Sequence, residues 1–419
     1  MNLSGQSPRG VLDGLGRHLT RVCSARRTMP ALTPDPFAPA RLGAITLRNR
    51  IIKAATFEGL TPENVVTDAL IAFHRRLAAG GVGMTTVAFC AVSPEGRGAP
   101  GEIIMRDGAV PGLARLADAV HAEGAAVSAQ IGHAGAVASA AGQRGVTPSR
   151  MFSPLALGWT RAATADDIAR ITTEFAAAAR RLRAAGFDAV EVHLGHGYLP
   201  SEFLSPRLNR RTDAWGGSLE RRARFARELV CAVRDAVADR LAVVAKLNMT
   251  DGVTGGLAIE ESIEVARLLQ DDGALDAIEL TGGSSLENPM YLFRGEAPIA
   301  EMAATMPRLR RLGFRLVARR FMVAYPFEEA FFLPMARRFR AALTVPLILL
   351  GGINRLDTIE RALGEGFAFV AMGRALLREP DLMRRMRDGS ATEARCIHCN
   401  KCVPTIYRGT HCVLEPGGA

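Results

Sequence analysis

The chain has 419 residues, 48% of them hydrophobic and 22% charged, which fits a soluble globular protein long enough for one large barrel or two ordinary domains. A net charge of +10 invites a nucleic-acid reading, yet the excess is scattered, aromatics make up only 6%, and no basic stripe is interleaved with stacking rings. No run approaches the roughly eighteen uncharged apolar residues that a membrane helix needs, so neither a nucleic acid nor a membrane is expected as a partner.

Residues 1–30 carry Arg9, Arg17, Arg21, Arg26 and Arg27 against one acid, Asp13, and hold no sustained apolar run. A disordered tail is expected there; a targeting peptide for an organelle and a true start at Met29 are the other readings. From residue 49 a rhythm sets in, in which a short apolar run and a turn are followed by an Ala/Leu/Arg-rich amphipathic stretch. The apolar runs fall at 50–54, 83–88, 127–131, 189–194, 243–247, 277–280, 347–350 and 367–372. Continuous apolar runs of this length suit parallel strands whose outer faces are covered by helices. The helical stretches fall at 68–79, 113–123, 164–185, 219–238, 259–270, 327–342, 356–363 and 375–387, with Gly80, Gly124, Gly186 and Gly273 placed as stops.

Eight such units predict an α/β protein with a (β/α)8 TIM barrel over 31–390. The rival, a doubly wound open sheet, usually shows G-x-G-x-x-G after its first strand, and that run is absent. The stretch 284–322 is too long for an ordinary βα connection and is read as an insertion covering the active-site face. Cys23, Cys90 and Cys231 stand alone, whereas Cys396, Cys399, Cys402 and Cys412 share a Cys-rich segment, 391–419. Cysteine usage of this kind points to a reducing, cytoplasmic compartment.

Catalytic groups of such barrels sit at the C-terminal ends of the strands. Those ends hold Ala55 and Thr56, Gln130 and His133, His193 to Tyr198, Lys246 and Asn248, Thr281 to Gly283, Gly351 and Gly352, and Gly373 with Arg374. Glycines at consecutive strand ends ahead of helix starts expose backbone N–H groups to an anion, and Arg374 adds a charge; the alternative is that they only make tight turns. His193 and His196, three residues apart, leave three roles open: metal ligands lacking an obvious third partner, satisfied core histidines, or donors to a substrate oxygen with Tyr198 as proton source.

Together these strand ends resemble the Old Yellow Enzyme family of FMN oxidoreductases over roughly 37–377. The resemblance is carried by Leu47-Arg48-Asn49-Arg50-Ile51, Gln130-Ile131-Gly132-His133-Ala134-Gly135 and His193-x-x-His196-Gly197-Tyr198-Leu199. It continues through Phe203-Leu204-Ser205-Pro206, Asn209-Arg210-Arg211-Thr212-Asp213, Trp215-Gly216-Gly217-Ser218 and Gly373-Arg374 to Arg378-Glu379-Pro380-Asp381. It implies FMN across the barrel mouth, with its phosphate on Gly352, Gly373 and Arg374 beside the strand-six end at Gly283. Gln130 would hold the pyrimidine edge, Lys246 would stand where the family usually has an arginine beside N1, and Ala55 and Thr56 would lie near N5. Phe57 departs from the Cys or Thr that many members carry near the C4 oxygen.

The implied reaction is reduction of an activated alkene by NAD(P)H through FMN. His193 and His196 would hold the substrate's conjugated carbonyl, and Tyr198 would protonate the α-carbon. An amine or N-methyl dehydrogenase or demethylase on the same barrel is the alternative, a non-flavin phosphate-binding barrel enzyme with Lys246 as Schiff-base residue a remoter one, and a non-enzymatic binding barrel the last. The four terminal cysteines resemble the cluster ligands of the family's larger members, 2,4-dienoyl-CoA reductase and trimethylamine dehydrogenase. Here a metal-free cap packed across the barrel is expected in preference to a [4Fe–4S] cluster or zinc. The sequence leaves a homo-oligomer open.

Overall fold

The computed structural model describes residues 33–138 and 144–415; the tail expected over 1–30 lies outside the described residues. Eight parallel strands form the barrel: β1 (Ile51–Lys53), β2 (Met84–Ala91), β3 (Ala126–Gly132), β4 (Ala189–Leu194), β5 (Ala242–Asn248), β6 (Ala277–Thr281), β7 (Leu347–Leu349) and β8 (Phe369–Met372). Each pairs with its neighbours in sequence order, and the β8–β1 and β1–β2 pairings close the ring. After them come helices α1 (Asp68–Ala79), α2 (Val110–His121), α3 (Ala165–Ala184), α4 (Leu219–Val237), α5 (Ile259–Asp271), α6 (Leu333–Ala342) and α7 (Leu356–Gly364). The helical stretch expected over 375–387 is two short helices, Arg374–Arg378 and Leu382–Arg387, with Pro380 between them. Proline has no N–H to give and forces the residue before it out of helical geometry.

Side chains along the strands divide into two layers. Val190, Val192 and Leu194 of β4 face the helices in the larger core, together with Phe175 of α3 and Phe225 of α4. Ala189, Val244, Ala277, Ile348, Phe369 and Ala371 fill the barrel interior. This period of two places Glu191 and His193 inside the barrel as well. Ahead of β1, the hairpin Ala40–Leu42 with Ile45–Leu47 plugs the N-terminal end, its Ala40, Leu42 and Leu47 joining the interior cluster. The floor is sealed by apolar contacts, and the polar residues gather at the other end.

Of the four expected helix stops, Gly124, Gly186 and Gly273 take positive φ values of 74°, 79° and 68°. After α1 that conformation falls to Gly81 at 104° instead, because Gly80 stays helical as the cap. The insertion over 284–322 is made of three helices, Pro289–Phe293, Ile299–Ala304 and Arg308–Phe321, all following β6.

The interior floor is dense enough that a cavity there has a cost. Phe369→Ala removes a ring that is fully buried on β8, and is expected to destabilise the fold by about 3–5 kcal/mol. A urea unfolding midpoint unchanged from wild type would show that the floor collapses around the gap.

Candidate active site

His193 ends β4 and stands in register with Lys246 of β5, which in turn pairs with Glu279 of β6. One layer of the barrel therefore holds an imidazole, an ammonium and a carboxylate side by side. Beyond His193 the chain turns sharply. His196 has φ 61° and Gly197 φ 71°. At Gly197 a Cβ would meet Ser284 Oγ at 2.9 Å, so conformation and space both require glycine there.

Asn248 at the end of β5 holds this turn, its Oδ1 accepting from His196 N (3.0 Å) and its Nδ2 donating to Asp251 Oδ1 (3.0 Å) and Gly283 O (2.9 Å). His196 Nε2 lies 2.8 Å from Thr281 Oγ1. The ring centroid of His193 is 4.9 Å from that of His196 and 4.7 Å from that of Tyr198, with Phe89 5.1 Å from Tyr198 on the β2 side. Gly132 makes room for this group, since a Cβ there would meet the Phe89 ring at 2.4 Å.

Burial, with Lys246 nearby, pushes His196 down to about 3; burial, the second imidazole and Lys246 hold His193 well below its ordinary value. Both rings are neutral at physiological pH and so carry one N–H donor each. His193 Nδ1 is buried without a protein partner. Burial, and then the charge of Glu102, raise Tyr198, which therefore keeps its proton across the physiological range. Two neutral imidazoles and a phenol thus stand side by side after β4.

Inside, Lys246 is 2% exposed and forms ion pairs with Glu279 (2.6 Å) and Glu191 (3.1 Å). Glu191 Oε1 also accepts from Gln130 Nε2 at 2.6 Å. Burial draws the ammonium down, but the two carboxylates outweigh it and hold Lys246 at about 12. Glu279 is pushed up to about 7 by burial and by Glu191, against the pull of Lys246. Neither glutamate was singled out in the sequence, where each sits inside an apolar run; inward phasing against Lys246 was the available signal. A second buried group, Lys53 with Glu58 (3.2 Å) and His74, lies behind the loop that carries Ala55 and Thr56. Glu58 also accepts from Ala88 N at 3.2 Å and so ties the end of β1 to that of β2. Ala55 itself packs with Ala88, Phe89 and Tyr198.

The glycines expected to border the cofactor are differently placed from one another. Gly283 spends its N–H on Thr250 O at 2.9 Å, so it has none to offer an anion. Gly352 has φ 70° and faces the rings of Phe331 and Phe327. Gly373 is open, a Cβ there meeting only Thr56 Oγ1 at 3.6 Å. The Arg374 guanidinium is turned toward the C-terminal segment, where its Nη1 donates to Arg294 O (3.0 Å) and to Asn400 Oδ1.

That segment crosses the C-terminal face of the barrel. Thr410 bonds the carbonyls of Phe57 and Glu58 after β1 (2.5 and 2.7 Å), Asn400 those of Arg294 and Glu296 after β6 (3.0 and 2.9 Å), and His398 approaches Asn354 after β7 at 2.6 Å. Cys396, Cys399, Cys402 and Cys412 line one small cleft together with Arg374, His398 and Asn400. All four are free thiols. Burial pushes up Cys396, and raises Cys402 to about 11, against the nearby guanidinium. Among the described residues, no group of three or more His, Cys, Asp or Glu is set to hold a single metal ion. No helix of the described residues is long and apolar enough to cross a membrane.

A closed parallel eight-stranded barrel with polar side chains gathered at its strand ends is a frame that flavin oxidoreductases share. The chain belongs to the NADH:flavin oxidoreductase / NADH oxidase family, that of the Old Yellow Enzymes, which it matches over residues 35–281. It is 55% identical over 387 residues to the 4,4'-dithiodibutanoate disulfide reductase of Rhodococcus erythropolis, covering 92% of this chain and 96% of that protein. It is 35% identical to the metal reductase of Desulforamulus reducens over 89% of this chain, but spans only 52% of that relative. Among solved structures, 2-naphthoyl-CoA reductase with 2-naphthoyl-CoA is similar at a TM-score of 0.78 and 27% identity, covering 91% of this chain and 57% of that one. Morphinone reductase with tetrahydroNAD follows at 0.65 and 27%, covering 87% and 94%. The protein is thus an NAD(P)H-linked flavin oxidoreductase.

Thr281 fixes the His196 ring, and its loss has a measurable size. Thr281→Val is expected to weaken binding of a phenol, whose oxygen stands for a substrate oxygen, by roughly 2- to 12-fold, the worth of one neutral hydrogen bond. Calorimetric titration checks it, and an unchanged Kd would mean that His196 needs no such anchor.

Proposed function

We propose that the protein is an FMN-dependent NAD(P)H reductase of small electron-poor acceptors, with α,β-unsaturated carbonyl compounds as its first substrate class. The observation that carries this reading is the meeting of two neutral imidazoles, His193 and His196, with the protonated phenol of Tyr198. Donors that are fixed before reaction cost no reorganisation when negative charge develops on a substrate oxygen. Tyr198 then has the proton that the carbon beside that carbonyl needs.

The residues present fit FMN. Lys246 has three donors and two carboxylate partners, leaving one N–H toward the pyrimidine edge that Gln130 borders. His193 Nδ1 awaits a partner, Gly373 is uncrowded beside Thr56, and Arg374 has committed only Nη1, so the rest of its fork is free for a phosphate. When bound, FMN supplies the hydride that it takes from NAD(P)H. The remoter reading of Lys246 as a Schiff-base nucleophile loses support, because an ammonium held at about 12 by two carboxylates is not a nucleophile at neutral pH.

A second acceptor class, an organic disulfide, is favoured by the 55% identity to a disulfide reductase that this chain spans almost completely. Tyr198 would there protonate the departing thiolate. The four cysteines in their shared cleft support a [4Fe–4S] cluster over the metal-free cap expected from the sequence. The observation that favours the cluster is that all four thiols line the same small cleft beside Arg374.

Two measurements test this. Tyr198→Phe is expected to leave flavin reduction by NAD(P)H intact and to slow reoxidation by an enone on the order of 10²-fold or more. Equal slowing of both half-reactions would make Tyr198 structural, and reduced protein that neither an enone nor 4,4'-dithiodibutanoate reoxidises would overturn both substrate readings. Anaerobically purified protein should hold about four iron and four acid-labile sulfide per chain; an iron-free protein with four titratable thiols would restore the cap.

A further inference from the structure

The barrel interior contains more negative charge than its cation can cancel. Glu191 and Glu279 are both about 2% exposed or less, and Lys246, at 2%, lies between them. With both carboxylates ionised the group would carry one net negative charge, directly beneath the place where the FMN reading sets the pyrimidine ring. The charged and titratable groups that bear on Glu279 are few. Lys246 faces it from β5 and Glu191 from β4, and its register partner on β7, Ile348, is apolar. Lys53 acts on Lys246 and Glu191 from β1, and His193 and His196 lie near Lys246 but are neutral.

We propose that Glu279 is a redox-coupled proton acceptor, taking up a proton from solvent when a bound flavin is reduced, so that reduction consumes two protons instead of one. The inference rests on FMN binding with its pyrimidine ring beside Lys246. Hydride from NAD(P)H carries two electrons and one proton, which becomes the N5–H, and leaves one new negative charge on the ring system. Lys246 cannot compensate for it while paired with two carboxylates. Protonating Glu279 removes one of them, so that in the reduced protein Lys246 is left with Glu191 and the charge of the reduced ring. The strong electrostatics of a buried, low-dielectric group make this transfer of charge worth a proton.

Glu279 is already poised for it, since burial and Glu191 bring its affinity for a proton near neutrality. The sign follows from the coupling. A new negative charge raises its affinity further, so uptake occurs between the oxidised-state and reduced-state values and vanishes below the former.

The test is the midpoint potential of FMN-loaded protein, measured by dye equilibration from about pH 5 to 9, for wild type and Glu279→Gln. Wild type should show the single-proton slope at acid pH and twice that slope above about pH 7. Glu279→Gln should keep the single-proton slope throughout and have a higher potential than wild type at alkaline pH. A wild-type slope that stays single overturns the proposal. Should the variant lose its flavin, protons taken up by wild type on photoreduction, counted with an indicator dye, decide alone: a count rising from one per flavin at acid pH toward two above about pH 7 supports it, and one throughout overturns it. A protein that takes up no FMN fails at the earlier reading and is recognised by its missing absorbance, whereas an FMN-loaded protein with a single slope fails only here.

Discussion

A buried ammonium must be neutralised where it stands, and Lys246 at the centre of the barrel sets that requirement for everything around it. An isolated ion in such a place costs several kcal/mol. The two glutamates meet that cost from adjacent strands, Glu191 on β4 and Glu279 on β6. Because the strands are parallel and paired in register, the same layering that brings the carboxylates to Lys246 also sets His193 beside it. The charge of Lys246 then helps to keep both histidines neutral. Donor chemistry at the mouth and ion pairing beneath it are one electrostatic arrangement.

Around this centre the strand ends are braced by hydrogen bonds between neighbouring loops. Asn248 is the clearest case, since it ties the β4 turn to Gly283 after β6 and leaves His196 in a left-handed conformation that its own loop would not favour. Glu58 does the same between β1 and β2. The C-terminal segment then crosses β1, β6 and β7 and takes hold of Arg374. The guanidinium thereby stands between the loop ends that suit an anion and the cleft lined by four cysteines.

The relatives set the scale of what the fold alone can say. A disulfide reductase, a metal reductase and reductases of naphthoyl-CoA and morphinone share this frame. Their acceptors have little shape in common, which is what a site built from fixed donors and one proton source allows.

The sequence by itself determined the barrel, because alternation of apolar runs and amphipathic stretches is a local property, and eight repeats of it close in only a few ways. It also put His193, His196 and Tyr198 together at one strand end, because their spacing is written along the chain. Only the tertiary structure decided the partners. Glu191 and Glu279 are invisible as a pair since they stand 88 positions apart, and it is strand register, not proximity in sequence, that brings them to Lys246. Gly283 and Arg374 were legible as strand-end groups, yet where the N–H of one and the guanidinium of the other point was settled by Thr250 and Asn400, residues remote in the chain. Four cysteines close in sequence were plain to see, but that they open onto one cleft depends on how the segment is pinned across the barrel face. Local pattern fixes elements, whereas the neutralisation of buried charge and polar groups is decided by whichever residues the fold brings within reach.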